Sequence, residues 1–200
     1  MPDWDEDSPQ LRQNLARLLE EIVHVADRRD VPTVESARQW QSRTMEALDV
    51  PDARYVGRFR GEPGLEHVQV RVGPLDGVPA ADVKEALARF EQKLQTAVAE
   101  LDGRLPSGGE PNADELDDII DLCAWVHAEW VRIRPFANGN GRTARLWANS
   151  LGIRYGLPPF VRLRPRPDSG YGDAGASAMR GEWKPTAAIF HALLDRIAED

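Results

Sequence analysis

Apolar positions recur at helical spacing along most of this chain. Leu11, Leu15, Leu18, Leu19, Ile22, Val23 and Ala26 fall on one face, and Ser8 followed by Pro9 supplies an N-cap and a first helical residue. Ala37, Trp40, Met45 and Leu48 predict a second helix over 34–48, stopped by Asp49-Val50-Pro51. A third, long helix over 79–101 turns Val83, Leu87, Phe90, Leu94 and Val98 inward. The stretch 113–133 is the most apolar of all, with Ile119, Ile120, Leu122, Trp125, Val126 and Trp130 as core. Its start is acidic, Asp114, Glu115, Asp117 and Asp118, where the helix dipole favours negative charge.

Between Tyr55 and Val72 the period shortens. Val68, Val70 and Val72 alternate with Gln69 and Arg71, and Arg60-Gly61-Glu62-Pro63-Gly64 reads as the turn before them, so a β-hairpin is expected over 54–73. Such a hairpin either covers part of a helical core or offers its unpaired edge to an extended peptide. The Gly- and Pro-rich stretch 102–112 separates two helices rather than two domains. With no internal repeat, the economical reading is one mostly α domain over 1–200, a helical bundle carrying one β-hairpin. Its parts are N-terminal helices (1–50), the hairpin (54–73), a helix, loop and helix (113–155) and C-terminal helices (170–200) around Ile189, Phe190, Leu193, Leu194 and Ile197.

Composition sharpens this picture in three places. The net charge of −8 argues against nucleic acid as a partner. The single Cys123, in the apolar run Leu122-Cys123-Ala124-Trp125, excludes an internal disulfide and reads as a packing residue. No apolar run is long enough for a membrane span, and the acidic start Asp3-Trp4-Asp5-Glu6-Asp7 is unlike a signal peptide, so a cytoplasmic protein with no membrane partner is expected. The basic residues are 22 Arg against 3 Lys, from anion recognition or from codon bias. They are unevenly placed: residues 132–167 hold eight arginines and no Asp, Glu or Lys, a basic segment inside an acidic body.

Chemistry concentrates in that segment, in Arg134-Pro135-Phe136-Ala137-Asn138-Gly139-Asn140-Gly141-Arg142-Thr143-Ala144-Arg145. Gly-Asn-Gly ahead of an apolar helical run exposes backbone N–H groups at the positive end of a helix dipole, the physics of an anion nest. The same tripeptide also makes a tight turn between helices. Arg142 and Arg145 tilt the balance, because cations at a helix N-terminus repel the dipole unless an anion compensates them. Three residues apart, they share a face of the first turn.

The string resembles the signature of the Fic (Fido) family, His-Pro-Phe-x-(Asp/Glu)-Gly-Asn-Gly-Arg-x-x-Arg, at every specified position except Arg134 and Asn138. Members of the AMP-transferase type move AMP from ATP onto a hydroxyl of a target protein. The resemblance runs on into Gly57-Arg58-Phe59-Arg60 and Val68 to Val72, similar to the family's flap, which aligns a target peptide by strand addition. Tyr171 and Gly181-Glu182-Trp183-Lys184-Pro185 resemble its closing helices. It implies a Fic-type fold, ATP with Mg2+ as cofactor, and phosphates held by Asn140 with the Gly139 and Gly141 amides, while Arg142 and Arg145 take the outer phosphates and Phe136 anchors the core. It also implies a target-protein partner through Val68, Val70 and Val72.

The two departures decide how far this carries. Arg134 stands where active relatives have the general base, and a guanidinium has no lone pair to accept a proton. Asn138 stands where an acidic residue helps hold Mg2+, and its neutral amide predicts a weakened metal site. His127, two helical turns upstream, is too far along the axis to replace the base and reads as a satisfied helix histidine. Ser42-Arg43-Thr44-Met45-Glu46-Ala47 is similar to the family's inhibitory (Ser/Thr)-x-x-x-Glu-(Gly/Asn), but it ends in Ala and lies on a core helix. Inhibition then comes from a separate small antitoxin-like partner or is absent. The expectations are a nucleotide-binding transferase scaffold impaired at Arg134, a natural pseudoenzyme or partner-strand module, or an inactivated toxin.

Overall fold

A computed structural model describes residues 8–167 and 170–199. Seven α-helices run through them: α1 (Pro9–Val25), α2 (Val34–Thr44), α3 (Val83–Arg104), α4 (Ala113–Ile133), α5 (Asn140–Arg154), α6 (Tyr171–Met179) and α7 (Lys184–Glu199). One two-stranded antiparallel hairpin, β1 (Arg71–Val72) and β2 (Leu75–Asp76), completes the architecture, so the expectation of a mostly α fold with one hairpin holds. The acidic start at residues 3–7 lies outside the described residues. Among these, no helix is long and apolar enough to cross a membrane.

α4 is the central helix because it is apolar nearly all round, and a helix with no polar face must be covered on every side. α3, α5, α6 and α7 all pack on it. Its start is fixed by a capping box: Asn112 Oδ1 accepts from Glu115 N–H at 3.0 Å while Glu115 Oε2 accepts from Asn112 N–H at 2.9 Å. Trp130, Trp147, Phe90, Phe59 and Phe136 interlock around its C-terminal half. Cys123 is fully buried there, its thiol pushed well above the ordinary range by desolvation, in keeping with a packing role.

α1 starts as its sequence predicts, with Ser8 Oγ accepting from Leu11 N–H at 3.1 Å. It covers α5 and the end of α2 through Leu11, Leu15, Leu18 and Ile22. α2 is shorter than the 34–48 expected. Asn14 on α1, itself buried, donates to Thr44 O at 3.2 Å and Glu46 O at 2.7 Å, and Ala47 turns left-handed at φ 58°. The helix therefore ends while Met45 and Leu48 still reach the core.

The hairpin is displaced from its expected place at 54–73. Its turn is Gly73-Pro74, with Gly73 at φ 55°, and its register pairs Arg71 with Asp76 and Val72 with Leu75. Arg71 Nε meets Asp76 Oδ1 across the strands at 2.7 Å. Of the three valines assigned to the strand, only Val72 belongs to it; Val68 and Val70 lie in the irregular chain before it.

The reason for the shift is Arg60, read in sequence as the first turn residue yet only 1% exposed. Its guanidinium donates to four backbone carbonyls, Arg134 O (2.6 Å), Val78 O (2.7 Å), Ile133 O (2.9 Å) and Val68 O (3.2 Å). Residues 56–70 fold around this side chain in short turns, with Leu65 O accepting from Gly61 N–H and Val68 N–H, rather than as a strand ladder. Arg60→Ala would orphan those carbonyls in a dry site and is expected to destabilise the fold by about 3 kcal/mol or more. The half-buried Arg58→Ala, which breaks a part-exposed ion pair with Glu62, should cost less than about 1 kcal/mol. Urea unfolding of both variants checks this; equal midpoints would remove Arg60 from the role given to it.

Candidate functional site

The C-terminus of α4 is capped by Arg134 in the left-handed conformation (φ 51°), its N–H bonded to Trp130 O at 3.0 Å. Residues 135–139 then turn the chain into α5. Asn140 closes this turn on itself, with Oδ1 accepting from Phe136 N–H at 2.9 Å and Nδ2 donating to Phe136 O at 2.8 Å. Its amide oxygen and one of its two N–H donors are thus engaged by the loop, so the Asn140 side chain braces the turn. Phe136 is the buried anchor expected of it, 4.9 Å from the Phe59 ring.

Gly139 takes φ 88°, and a Cβ there would stand 3.2 Å from Met45 Cε, so both the turn and the close approach of α2 require glycine. Gln41 of α2 completes the clamp. It donates to Asn138 O (3.3 Å) and Tyr55 O (3.1 Å) and accepts from Gly57 N–H (2.6 Å). Sequence reasoning passed over Gln41 because a glutamine between apolar helix positions looks like any solvated residue. With Gly139 as N-cap, no side chain caps α5, whose positive dipole end stays available to an anion.

Beside that helix end lies a cavity of about 440 Å3. Its walls are the hairpin (Val72, Gly73, Pro74, Leu75), α4 (His127, Val131, Arg134), Gly141 and Arg145 of α5, Arg166, and α6 with its following residue (Tyr171, Met179 and Arg180 among them). Two larger hollows, of about 570 and 650 Å3, contain no residue of the 134–145 string. The cavity that matters chemically is therefore the smaller one, where a strongly basic lining meets an uncapped helix end. Among the described residues, no carboxylate lines it.

Arg142 and Arg145 were expected to share one anion, and the structure parts them. Arg145 lies in the cavity wall, 5% exposed, with Nε and Nη2 donating to Leu163 O at 3.2 and 2.9 Å. Arg142 is also buried but turns to Asn138, Nη2 donating to Oδ1 at 3.0 Å. Arg134 reaches Met179, Nε to Sδ 3.4 Å, and burial lowers its pKa to about 10, still a cation at neutral pH. Arg60, behind it, is lowered to about 10 by burial and by the charge of Arg134. Among the described residues, none of Arg60, Arg134 and Arg145 is paired with a carboxylate.

The Mg2+ that the sequence resemblance implies does not fit this donor set. Asn138 Oδ1 already accepts from Gly139 N–H and from the Arg142 guanidinium, so a dication at that oxygen would displace one donor and face a positive charge. Among the described residues, no three His, Cys, Asp or Glu side chains gather as a metal site.

His127 belongs to this cavity, contrary to its reading as a satisfied helix histidine. Its Nε2 meets Tyr171 Oη at 2.6 Å, but Nδ1 is buried without a partner. The axial distance to Arg134 was a sound argument against direct replacement; the placement of α6 against α4, bringing Tyr171 and the cavity to His127, is invisible in the sequence. Glu46 sits against Arg17 at the surface, Nη2 to Oε2 3.8 Å, while Met45 of the same 42–47 stretch is buried in the core.

The model of the Fic/DOC family matches residues 32–151. Protein adenylyltransferase Fic of Nematostella vectensis is 46% identical over 50 residues, 24% of this chain and 12% of that protein. Protein adenylyltransferase fic-1 of Caenorhabditis elegans is 46% identical over 44 residues, 22% of this chain and 9% of that protein. The chain thus matches only about a tenth of the length of these curated relatives. Among solved structures, a Fic domain containing signalling protein from Bacteroides thetaiotaomicron superposes with a TM-score of 0.68 at 21% identity, covering 94% of this chain and 69% of that one. BepC of Bartonella tribocorum, solved with bound AMPPNP, gives 0.61 at 16% identity, covering 96% and 90%.

One pH dependence follows from His127. Burial, helped by the charge of Arg145, lowers its pKa from 6.5 to about 3, so it stays neutral in the fold. The unfolded chain takes up a proton below about pH 6.5 and the folded one does not, so stability is full above that value and falls by about 1.4 kcal/mol per pH unit as pH drops toward 3. His127→Gln should flatten this fall, read as urea midpoints between about pH 7 and about pH 5. Parallel losses in both proteins would assign the effect to other groups.

Proposed function

The chain belongs to the Fic/DOC family, and from that premise we propose that it binds the phosphates of a nucleoside triphosphate, with ATP the default, in the cavity beside α5. AMP transfer from that nucleotide to a protein hydroxyl is then impaired. The observation that carries the binding half is the lining itself: Arg134 and Arg145, neither with a carboxylate, beside the uncapped N-terminus of α5. Buried unpaired cations are costly, and an anion seated between them and the helix dipole relieves that cost. The curated relatives are named as adenylyltransferases, and BepC holds AMPPNP in its structure, in keeping with this reading.

The impairment follows from proton bookkeeping. When a hydroxyl oxygen attacks the α-phosphorus and pyrophosphate leaves, the hydroxyl proton must be accepted. Arg134 has no lone pair to take it. His127, the nearby imidazole in the cavity, is held near pKa 3 and bonded to Tyr171, which makes it a poor base at neutral pH. Val72, 44% exposed on the hairpin, places an edge over the cavity where a target segment would lie, with Val68 and Val70 behind it. Glu46 makes only a surface ion pair with Arg17, and the 42–47 stretch departs from the inhibitory pattern at Ala47, so inhibition of this site comes from a separate protein or is absent.

Calorimetric titration with ATP is expected to show saturable binding, weakened about tenfold or more in Arg145→Ala, the scale of losing a charge-assisted contact to phosphate. Absence of binding at millimolar ATP would overturn the reading. With labelled ATP and a cell lysate, Arg134→His should label protein while the natural sequence does not, a gain of roughly 10² to 10⁴ in rate. Equal silence from both would leave a pseudoenzyme whose scaffold no longer transfers.

A further inference from the structure

Magnesium is the partner a nucleotide brings with it, and this site is arranged against it. We propose that the chain binds its nucleotide free of divalent cation, with Arg134 and Arg145 supplying the positive charge that Mg2+ would otherwise place on the phosphates. This inference rests on the nucleotide reading above.

Three independent features carry it. The first is the lining: Arg134, Arg145, Arg166 and Arg180 face one cavity of about 440 Å3 to whose walls the described residues contribute no carboxylate that could ligate or attract a metal. The second is Asn138, where the resemblance places the metal's protein ligand. Its Oδ1 accepts from both Gly139 N–H and Arg142 Nη2, the latter at 3.0 Å, so the oxygen is neutral, occupied and flanked by a guanidinium. Mg2+ takes small, hard, anionic oxygens and sheds its waters reluctantly; it gains nothing by approaching such an atom. The third is Arg134, the left-handed cap of α4, half-buried with its Nε on the Met179 sulfur and no ion pair.

These features act together. A guanidinium presents a planar fork that binds two phosphate oxygens at once and remains charged when partly desolvated. Magnesium already bound to a nucleotide would occupy those same oxygens and bring a dication into a cluster of cations. Arginine at position 134 therefore does more than remove a proton acceptor: it turns a metal-assisted phosphate site into one that competes with the metal. Asn138, neutral instead of acidic, is the matching change at the other side of the loop.

The whole chain would be titrated calorimetrically with ATP, once in excess EDTA and once in excess Mg2+. The expected result is saturable binding in EDTA at least as tight as with Mg2+, and a loss of about tenfold in EDTA for Arg134→Gln, one bidentate charge-assisted contact. Clearly weaker binding in EDTA than with Mg2+ would overturn this inference while leaving the nucleotide reading in place. Unchanged affinity in a folded Arg134→Gln would also overturn it. No binding under either condition would overturn the nucleotide reading itself. The comparison between buffers uses the natural protein, so it does not depend on any variant folding.

Discussion

The carbonyls at the C-terminal end of α4 have no helical partners, and Arg60 is the side chain that answers them. A guanidinium at this position satisfies Ile133 and Arg134, complements the negative end of the α4 dipole, and reaches back to Val68 and Val78 on either side of the hairpin. One side chain thus joins the central helix to the flap. The arrangement holds Arg134 in its left-handed cap and lets Gly77 lie against it, where a Cβ would come within 3.0 Å of Arg134 Cβ. The cavity exists because the hairpin is held over this corner, so its roof and its floor depend on the same hydrogen bonds.

That solution has an electrostatic consequence. Arg60 uses carbonyls rather than carboxylates, so its charge is solvated by dipoles but not neutralised, and Arg134 beside it adds a second cation. Arg145 makes the same choice with Leu163 O. Arg60 and Arg145, buried, and Arg134, half-buried, are held by neutral acceptors, which leaves the region short of negative charge among the described residues. Desolvation, helped by the charge of Arg145, keeps His127 neutral.

The loop between α4 and α5 separates two roles that a signature string lists side by side. Asn140, Phe136 and Gly139 build the turn: an amide bonded at both ends to Phe136, an aromatic anchor, and a glycine at positive φ under Met45. Gly141 and Arg145 face the cavity, and Arg142 bonds Asn138 in the loop ahead of α5. Equal matches to a pattern do not have equal functions, because a helical turn sends residues three apart toward different neighbours once other helices pack around it.

What the sequence determined by itself is local in origin. Ser8 and Asn112 cap their helices through contacts a few residues long, the all-round apolar pattern of α4 makes it central, and the string from Arg134 to Arg145 carries both its family likeness and its missing base. Tertiary structure decided the rest. Asn14 ended α2 before Met45, Arg60 moved the hairpin from 54–73 to 71–76, α6 carried Tyr171 to His127, and Arg142 was drawn off to Asn138. The first three reach groups on another element or far along the chain, and the last, Arg142 to Asn138, links α5 to the loop directly before it. Periodicity reports where apolar surface goes, but it is silent on which buried carbonyl a given guanidinium or amide will find, and here those pairings set the shape and charge of the cavity.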